Sequence, residues 1–264
     1  MTVTPPPEND DAVVENALLG GRVRLRQPVR GYRAGMDAAL LAAAVPARPG
    51  ERVFEAGCGA GAVLMQIAAR KPDVALTGLE REPAAADLAR QNAVLNDAAD
   101  RTTIITGDVA AGFHPLGLPL FDWAVSNPPF FDDPDALRAP APGKRAAWMA
   151  DDGLKAWTDI LLASVKDGGR IVVIHRADRL ADLLGLLGEK AGSFAILPIQ
   201  PFAETPAKRV IVRAIKRGRA PLVLHPALVL HDRSGAKHRA GVEAILTGNA
   251  DLALEGRVRV GQGS

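Results

Sequence analysis

Between Arg52 and Ile215, short apolar or β-branched runs alternate with longer helix-like stretches, and this alternation constrains the fold more than any other feature. The strand-like runs are 52–55, 74–79, 102–106, 121–126, 170–175, 194–199 and 209–215. Stretches 60–70, 83–96, 153–165 and 179–190 read as helices, the second with Pro83 in its first turn, where the missing N–H costs nothing. A β-α-β-α order places helices on both faces of a parallel sheet, so the expected class is α/β, doubly wound and mostly parallel. The last run follows its neighbour through a loop with no helix, which predicts an antiparallel final strand.

The flanks read differently. Residues 1–15, with Pro5-Pro6-Pro7, read as a disordered leader. Residues 16–48 form an N-terminal cover: a hairpin or edge strand over 16–27, then a short helix over 37–45 stopped by Pro46. The α/β domain spans 49–220, and 221–264 is a C-terminal extension with apolar runs at 222–224 and 228–230 and a helix near 242–246. The 264 residues are 48% hydrophobic, ample for one large core, and no apolar run reaches the roughly 18 residues a membrane helix needs. The only cysteine, Cys58, excludes an internal disulfide and a cysteine-based zinc site, and His175, His225, His231 and His238 share no ligand spacing. The expectation is a cytoplasmic protein without a metal.

Net charge is only +2, but its distribution is uneven. Arg22, Arg24, Arg26, Arg30 and Arg33 lie in an acid-free window, as do Lys208, Arg209, Arg213, Lys216, Arg217 and Arg219. Such clusters are the footprint of a polyanion partner or, alternatively, solvated faces balanced by acids elsewhere.

Glu55-Ala56-Gly57-Cys58-Gly59-Ala60-Gly61 joins the first strand to the first helix. Gly57, Gly59 and Gly61 allow a sharp turn and close approach of a ligand at the carboxyl end of the sheet. The spacing is not that of dinucleotide enzymes, and the lysine of a phosphate-binding loop is missing. Glu80, ending the second strand, is placed to accept both hydroxyls of a ribose. Asp108, after the third, is placed to accept from an adenine amino group, with the Val109 backbone amide beside the ring. Glu55 suits the amino end of an amino-acid moiety. Together these residues predict a nucleoside ligand.

Asn127-Pro128-Pro129-Phe130 ends the fourth strand. A base amino group or an amide nitrogen has its lone pair delocalised and is a poor nucleophile. Fixed acceptors on its two N–H groups favour a pyramidal, more nucleophilic nitrogen. Asn127 supplies a side-chain carbonyl, Pro128 a backbone carbonyl, and the two prolines hold both in place. Phe130 offers a face on which a planar group stacks. Residues 131–151, rich in proline and carrying Lys144 and Arg145, read as a long loop beside this edge.

With both motifs in that order, 31–215 resembles the class I methyltransferases that modify amino groups through an N/D-P-P-Y/F/W element. The resemblance implies a seven-stranded sheet and S-adenosylmethionine as donor. The segment from Gly31 to Leu41 is similar to the bacterial tRNA adenine-N6 methyltransferases acting beside the anticodon of a valine tRNA. There it covers the methionine end of the donor, which implies Arg33, Gly35 and Asp37 as neighbours. The sequence departs from that group in its proline-rich leader, in the tail after Leu222 and in carrying Phe130 where tyrosine is common. The expected substrate is an adenine in RNA, of the tRNA class. A guanine amino group in ribosomal RNA and a protein glutamine amide remain alternatives; the latter enzymes carry a helical recognition domain ahead of the catalytic fold, whereas 1–35 reads as leader plus Arg-rich stretch.

Overall fold

The computed structural model describes residues 13–29, 34–129, 152–233, 237–252 and 254. A hairpin of β1 (Val13–Leu18) and β2 (Val23–Pro28) pairs antiparallel, and α1 (Met36–Ala43) follows. The alternating unit then runs through β3 (Arg52–Ala56), α2 (Ala62–Arg70), β4 (Ala75–Glu80), α3 (Pro83–Leu95), β5 (Thr102–Thr106) and β6 (Phe121–Ser126). After residues outside the description come α4 (Asp152–Ser164), β7 (Val165–Arg176), α5 (Leu180–Gly188), β8 (Ala191–Gln200) and β9 (Arg209–Lys216). The tail adds β10 (Val223–Leu224), β11 (Leu228–Val229) and α6 (Ala240–Leu246).

Strand order is β10-β8-β9-β7-β6-β3-β4-β5, with β11 also on β8. Strands β3 to β7 are parallel, and β9 lies antiparallel between β7 and β8, as its loop connection requires. The expected seven strands are present; among the described residues the tail extends them to nine by pairing two short strands with the outer edge of β8. Strand β7 starts at Val165, five residues before the run read from sequence, because Phe121 pairs with Val165 ahead of a register shift. The intervening Lys166-Asp167-Gly168-Gly169 has no strand signature.

Successive side chains on a strand face opposite sides, so each buried strand feeds two cores. Val53 belongs to the layer of α1, α2 and α3, and Phe54 to that of α4 and α5, where its ring lies 5.3 Å from Phe121 and 5.7 Å from Phe113. The tail is tied into the first layer: Ile245, Ala250, Leu252 and Leu254 are buried there, and Leu252 N donates to Ala43 O at 2.9 Å. Arg70 donates to Ile245 O at 2.5 Å and Ala250 O at 2.9 Å.

Much of the clustered positive charge is engaged within the fold. Arg24 and Arg26 share the Glu15 carboxylate across the hairpin at 2.7 and 3.3 Å, and Arg22 donates to Ala69 O and Gly248 O. In the second cluster Arg209 pairs with Asp37, Arg217 with Asp167, and Lys216 donates to Val165 O. These acids lie outside the acid-free windows and arrive by folding, which weakens a polyanion footprint argued from sequence alone. Arg30, Arg33, Lys144 and Arg145 lie outside the described residues.

Candidate active site

The glycine loop is pinned to the end of β4. Gly57 N and Cys58 N both donate to Leu79 O, at 2.8 and 3.0 Å, and Gly61 N donates to Cys58 O at 2.8 Å. Gly57, Gly59 and Gly61 have φ of 69°, 54° and 83°, in the left-handed region. Their roles differ. A Cβ on Gly57 would sit 2.2 Å from the Trp157 ring, and one on Gly61 3.3 Å from Ala89 Cβ. Only Gly59 faces open space, with nothing within 4 Å. Close approach of a ligand therefore applies to Gly59, while Gly57 and Gly61 accommodate α4 and α3. Cys58 is a buried filler against Gly78, its thiol held protonated by burial and by Glu55 and Glu80.

Two carboxylates flank the loop. Glu80 is braced at both oxygens, Oε2 by Gly59 N and Oε1 by Glu82 N, each at 2.9 Å. Each oxygen keeps a second lone pair, so the group stands as an oriented acceptor for a pair of hydroxyls. Glu55 is 2% exposed, and its Oε2 has no partner. Burial first, and then the neighbouring Glu80, push its carboxyl well above the ordinary 4.5. Beyond β5, Asp108 Oδ1 accepts from Ala110 N at 2.9 Å, capping a turn that buries Val109.

Asn127 leaves the sheet beside this loop. Glu55 pairs with Val125 in the parallel β3–β6 register, so Gly57 and Asn127, each two residues on, exit neighbouring strands at the same end. Ser126 Oγ donates to Ala56 O at 3.0 Å and ties the two exits together. Pro128 is buried and Pro129 half-buried. Phe130 and the loop 131–151 lie outside the described residues. Helix α4 returns against β3, β6 and the 109–111 turn, with Trp157 over Gly57. On the other side Gly35 caps α1, and Asp37 Oδ2 accepts from Arg209 Nε at 3.0 Å. Ser126 and Asn92 are not among the residues expected from sequence, and Trp157 is expected only as a packing residue, as its contact with Gly57 makes it. A signal existed for Asn92, a polar residue on the alanine face of α3 with Ala86, Ala89 and Ala93.

A ligand with a cationic end and a vicinal diol fits these residues: the unpartnered Glu55 oxygen lacks a cation, and the braced Glu80 is ready for hydroxyls. Fold and loop define the class, since the chain has the α/β fold of the class I methyltransferases. Residues 33–139 match the family described as methyltransferase small domain. The chain is 39% identical over 107 residues to a tRNA1(Val) (adenine(37)-N6)-methyltransferase of Yersinia enterocolitica, covering 40% of this chain and 42% of that one. It is 33% identical over 159 residues to the protein of the same name from Porphyromonas gingivalis, covering 57% and 61%. The chain thus spans about half the length of the curated relatives it matches. Among solved structures, protein Atu636 of Agrobacterium tumefaciens, described as a predicted O-methyltransferase, superposes with a TM-score of 0.65 and 27% identity over 80% of this chain and 96% of that one. A Listeria monocytogenes protein described as a class I S-adenosylmethionine-dependent methyltransferase by assignment only, 14% identical with a TM-score of 0.53 over 80% of this chain and 68% of that one, shares the fold.

Proposed function

We propose that the protein transfers a methyl group from S-adenosylmethionine to the exocyclic amino nitrogen of an adenine in tRNA, in the cytoplasm. The observation that carries this reading is the juxtaposition of Glu55 and Glu80, at the ends of β3 and β4, with Asn127 one strand away. When bound, S-adenosylmethionine supplies a methyl group activated by its sulfonium. Glu80 accepts from the ribose hydroxyls, Glu55 offsets the charge of the amino end, and Asp108 with the Val109 amide faces the adenine. Asn127 and the Pro128 carbonyl accept the two N–H groups of the target amine, which raises the nucleophilicity of its lone pair; its proton leaves after transfer. Phe130 supplies the stacking face. Two acceptors side by side suit an amine rather than a hydroxyl, which favours nitrogen over the oxygen chemistry in the name of the Agrobacterium neighbour. The names of the Yersinia and Porphyromonas relatives support tRNA adenine as the target.

Incubation of the protein with unmodified tRNA and labelled donor, followed by nucleoside mass spectrometry, is expected to yield N6-methyladenosine. Asn127→Ala should bind donor within about threefold of wild type and lose about 100-fold in turnover, the scale of one fixed polar group at a reacting centre. Label in methylguanosine, in a ribose oxygen or in protein would reject the adenine assignment. Full activity of Asn127→Ala would reject its role.

A further inference from the structure

The N-terminal hairpin is bonded both to the glycine loop, through Asn92, and to the residue before Gly35 at the start of α1, through Gln27. Asn92 on α3 is fully buried. Its Oδ1 accepts from Arg26 N at 2.8 Å, and its Nδ2 donates to Arg26 O at 2.8 Å and to Ala60 O at 2.9 Å. One carboxamide thus completes the backbone pairing of β2 and at the same time holds the carbonyl between Gly59 and Gly61. The next residue of β2, Gln27, is also buried, at 3% exposure. Gln27 Oε1 accepts from Ala34 N at 2.9 Å, and its Nε2 donates to Asn16 Oδ1 at 2.7 Å. Ala34 precedes Gly35, the cap of α1, and Asp37 in the first turn of that helix is tied to β9 through Arg209. A path of hydrogen bonds made by two buried side chains therefore runs from the glycine loop through Asn92, the Arg26 backbone and Gln27 to the start of α1.

We propose that Asn92 and Gln27 are positioning residues for the donor, fixing the glycine loop and the start of α1 at one separation through β2; this rests on the donor reading above, with Gly35 and Asp37 at the donor's methionine end as expected from sequence. Asn96 supplies the internal control. One helical turn further along α3, it grips β2 in the same way, accepting from Arg24 N at 2.9 Å and donating to Arg24 O at 2.7 Å. It makes no bond to the glycine loop. A merely structural role for these amides predicts similar consequences from Asn92 and Asn96. A positioning role separates them.

The test is calorimetric titration of wild type, Asn92→Ala, Gln27→Met and Asn96→Ala with S-adenosylhomocysteine, together with donor-dependent kinetics. Asn92→Ala and Gln27→Met should each weaken binding roughly tenfold, the scale of about one net hydrogen bond. The rate at saturating donor should stay within about threefold, because the reacting groups are untouched. Asn96→Ala should bind within about twofold of wild type even if it melts earlier. If Asn92→Ala does not fold, Gln27→Met, which only loses contacts within the cover, carries the test. Unaltered binding in both variants beside a binding wild type overturns the inference alone, as does an equal loss in Asn96→Ala. A wild type that fails to bind S-adenosylhomocysteine overturns the donor reading and the inference with it.

Discussion

Gly57→Ala separates the two reasons a loop can need glycine. The new Cβ would lie 2.2 Å from Trp157 Cη2 and 2.6 Å from Cζ3, on a backbone with φ of 69°. The left-handed conformation costs a side-chain-bearing residue about 1–2 kcal/mol. Overlap with a packed ring adds about 1–3 kcal/mol, because the indole must move against α4. The expected loss is therefore roughly 2–5 kcal/mol, read as a lower urea midpoint by far-ultraviolet circular dichroism. In a Trp157→Ala background the overlap is gone and only the backbone cost remains. The double-mutant cycle should then show a coupling of about 1–3 kcal/mol. Gly59→Ala, with open space around its Cβ, should cost only the backbone strain and weaken donor binding more than Gly57→Ala does in the Trp157→Ala background. Additivity of Gly57→Ala and Trp157→Ala within about 0.5 kcal/mol would refute the packing argument and return Gly57 to the ligand.

Three further outcomes follow from the site and its supports. Because the Glu55 carboxyl is raised above its ordinary 4.5, the folded state holds a proton that the unfolded chain releases, so stability falls as pH rises from about 4.5 towards the raised value. Glu55→Gln should flatten that fall in urea titrations across pH, and should remove a donor affinity that in wild type strengthens as Glu55 ionises; a wild-type affinity that stays constant as pH is raised above 4.5 would contradict this. His175 has the opposite sign: burial, then Arg179, Arg176 and Arg209, hold it at about 4 against an ordinary 6.5. Its stabilisation, on the order of 3 kcal/mol, is complete above about 6.5 and lost as pH falls towards 4, and His175→Leu should flatten that acid limb. Arg70→Met leaves the Ala250 carbonyl without its donor, reduces Ile245 O to its bond from Gly248 N and removes the Asp251 pair, so it should cost about 1–3 kcal/mol and open the tail to proteolysis; unchanged cleavage would show that the tail holds without it.

The elements of the α/β unit were legible because each carries its period locally. Thr102-Thr103-Ile104-Ile105-Thr106 is a strand on any reading, and Pro83 marks the start of its helix. The placement of Glu55, Glu80, Asp108 and Asn127 was legible because each lies within two residues of the end of such a run, at the strand ends where ligands bind in this class of sheet. What escaped was contact between distant residues. Trp157 meets Gly57 and Arg70 meets the tail only because folding carries them there, and nothing in the sequence near either partner signals the other. The arginine clusters illustrate the same limit. Counted along the chain, Arg24 and Arg26 have no acid beside them, yet the hairpin register places Glu15 opposite Arg26.

The candidate site is assembled from groups that disfavour the empty fold. Glu55 is enclosed next to Glu80 with one oxygen unpartnered, and burying one carboxylate beside another costs desolvation and repulsion. The interactions that offset this lie away from the strand ends: the Asn92 and Asn96 amides on β2, Ser126 between two strands, and the Arg70 guanidinium under the tail. Such a division implies that a ligand supplying a cation to Glu55 and hydroxyls to Glu80 relieves a desolvation cost that the free protein carries. Saturation at about 100 times the dissociation constant adds about 2.7 kcal/mol by mass action alone. Relief of the Glu55 burial cost enters through that constant, so Glu55→Gln should raise the stability of the free protein at neutral pH and shrink the increment conferred by S-adenosylhomocysteine. A variant that gained stability without losing increment would show that the buried carboxylate and the ligand do not meet.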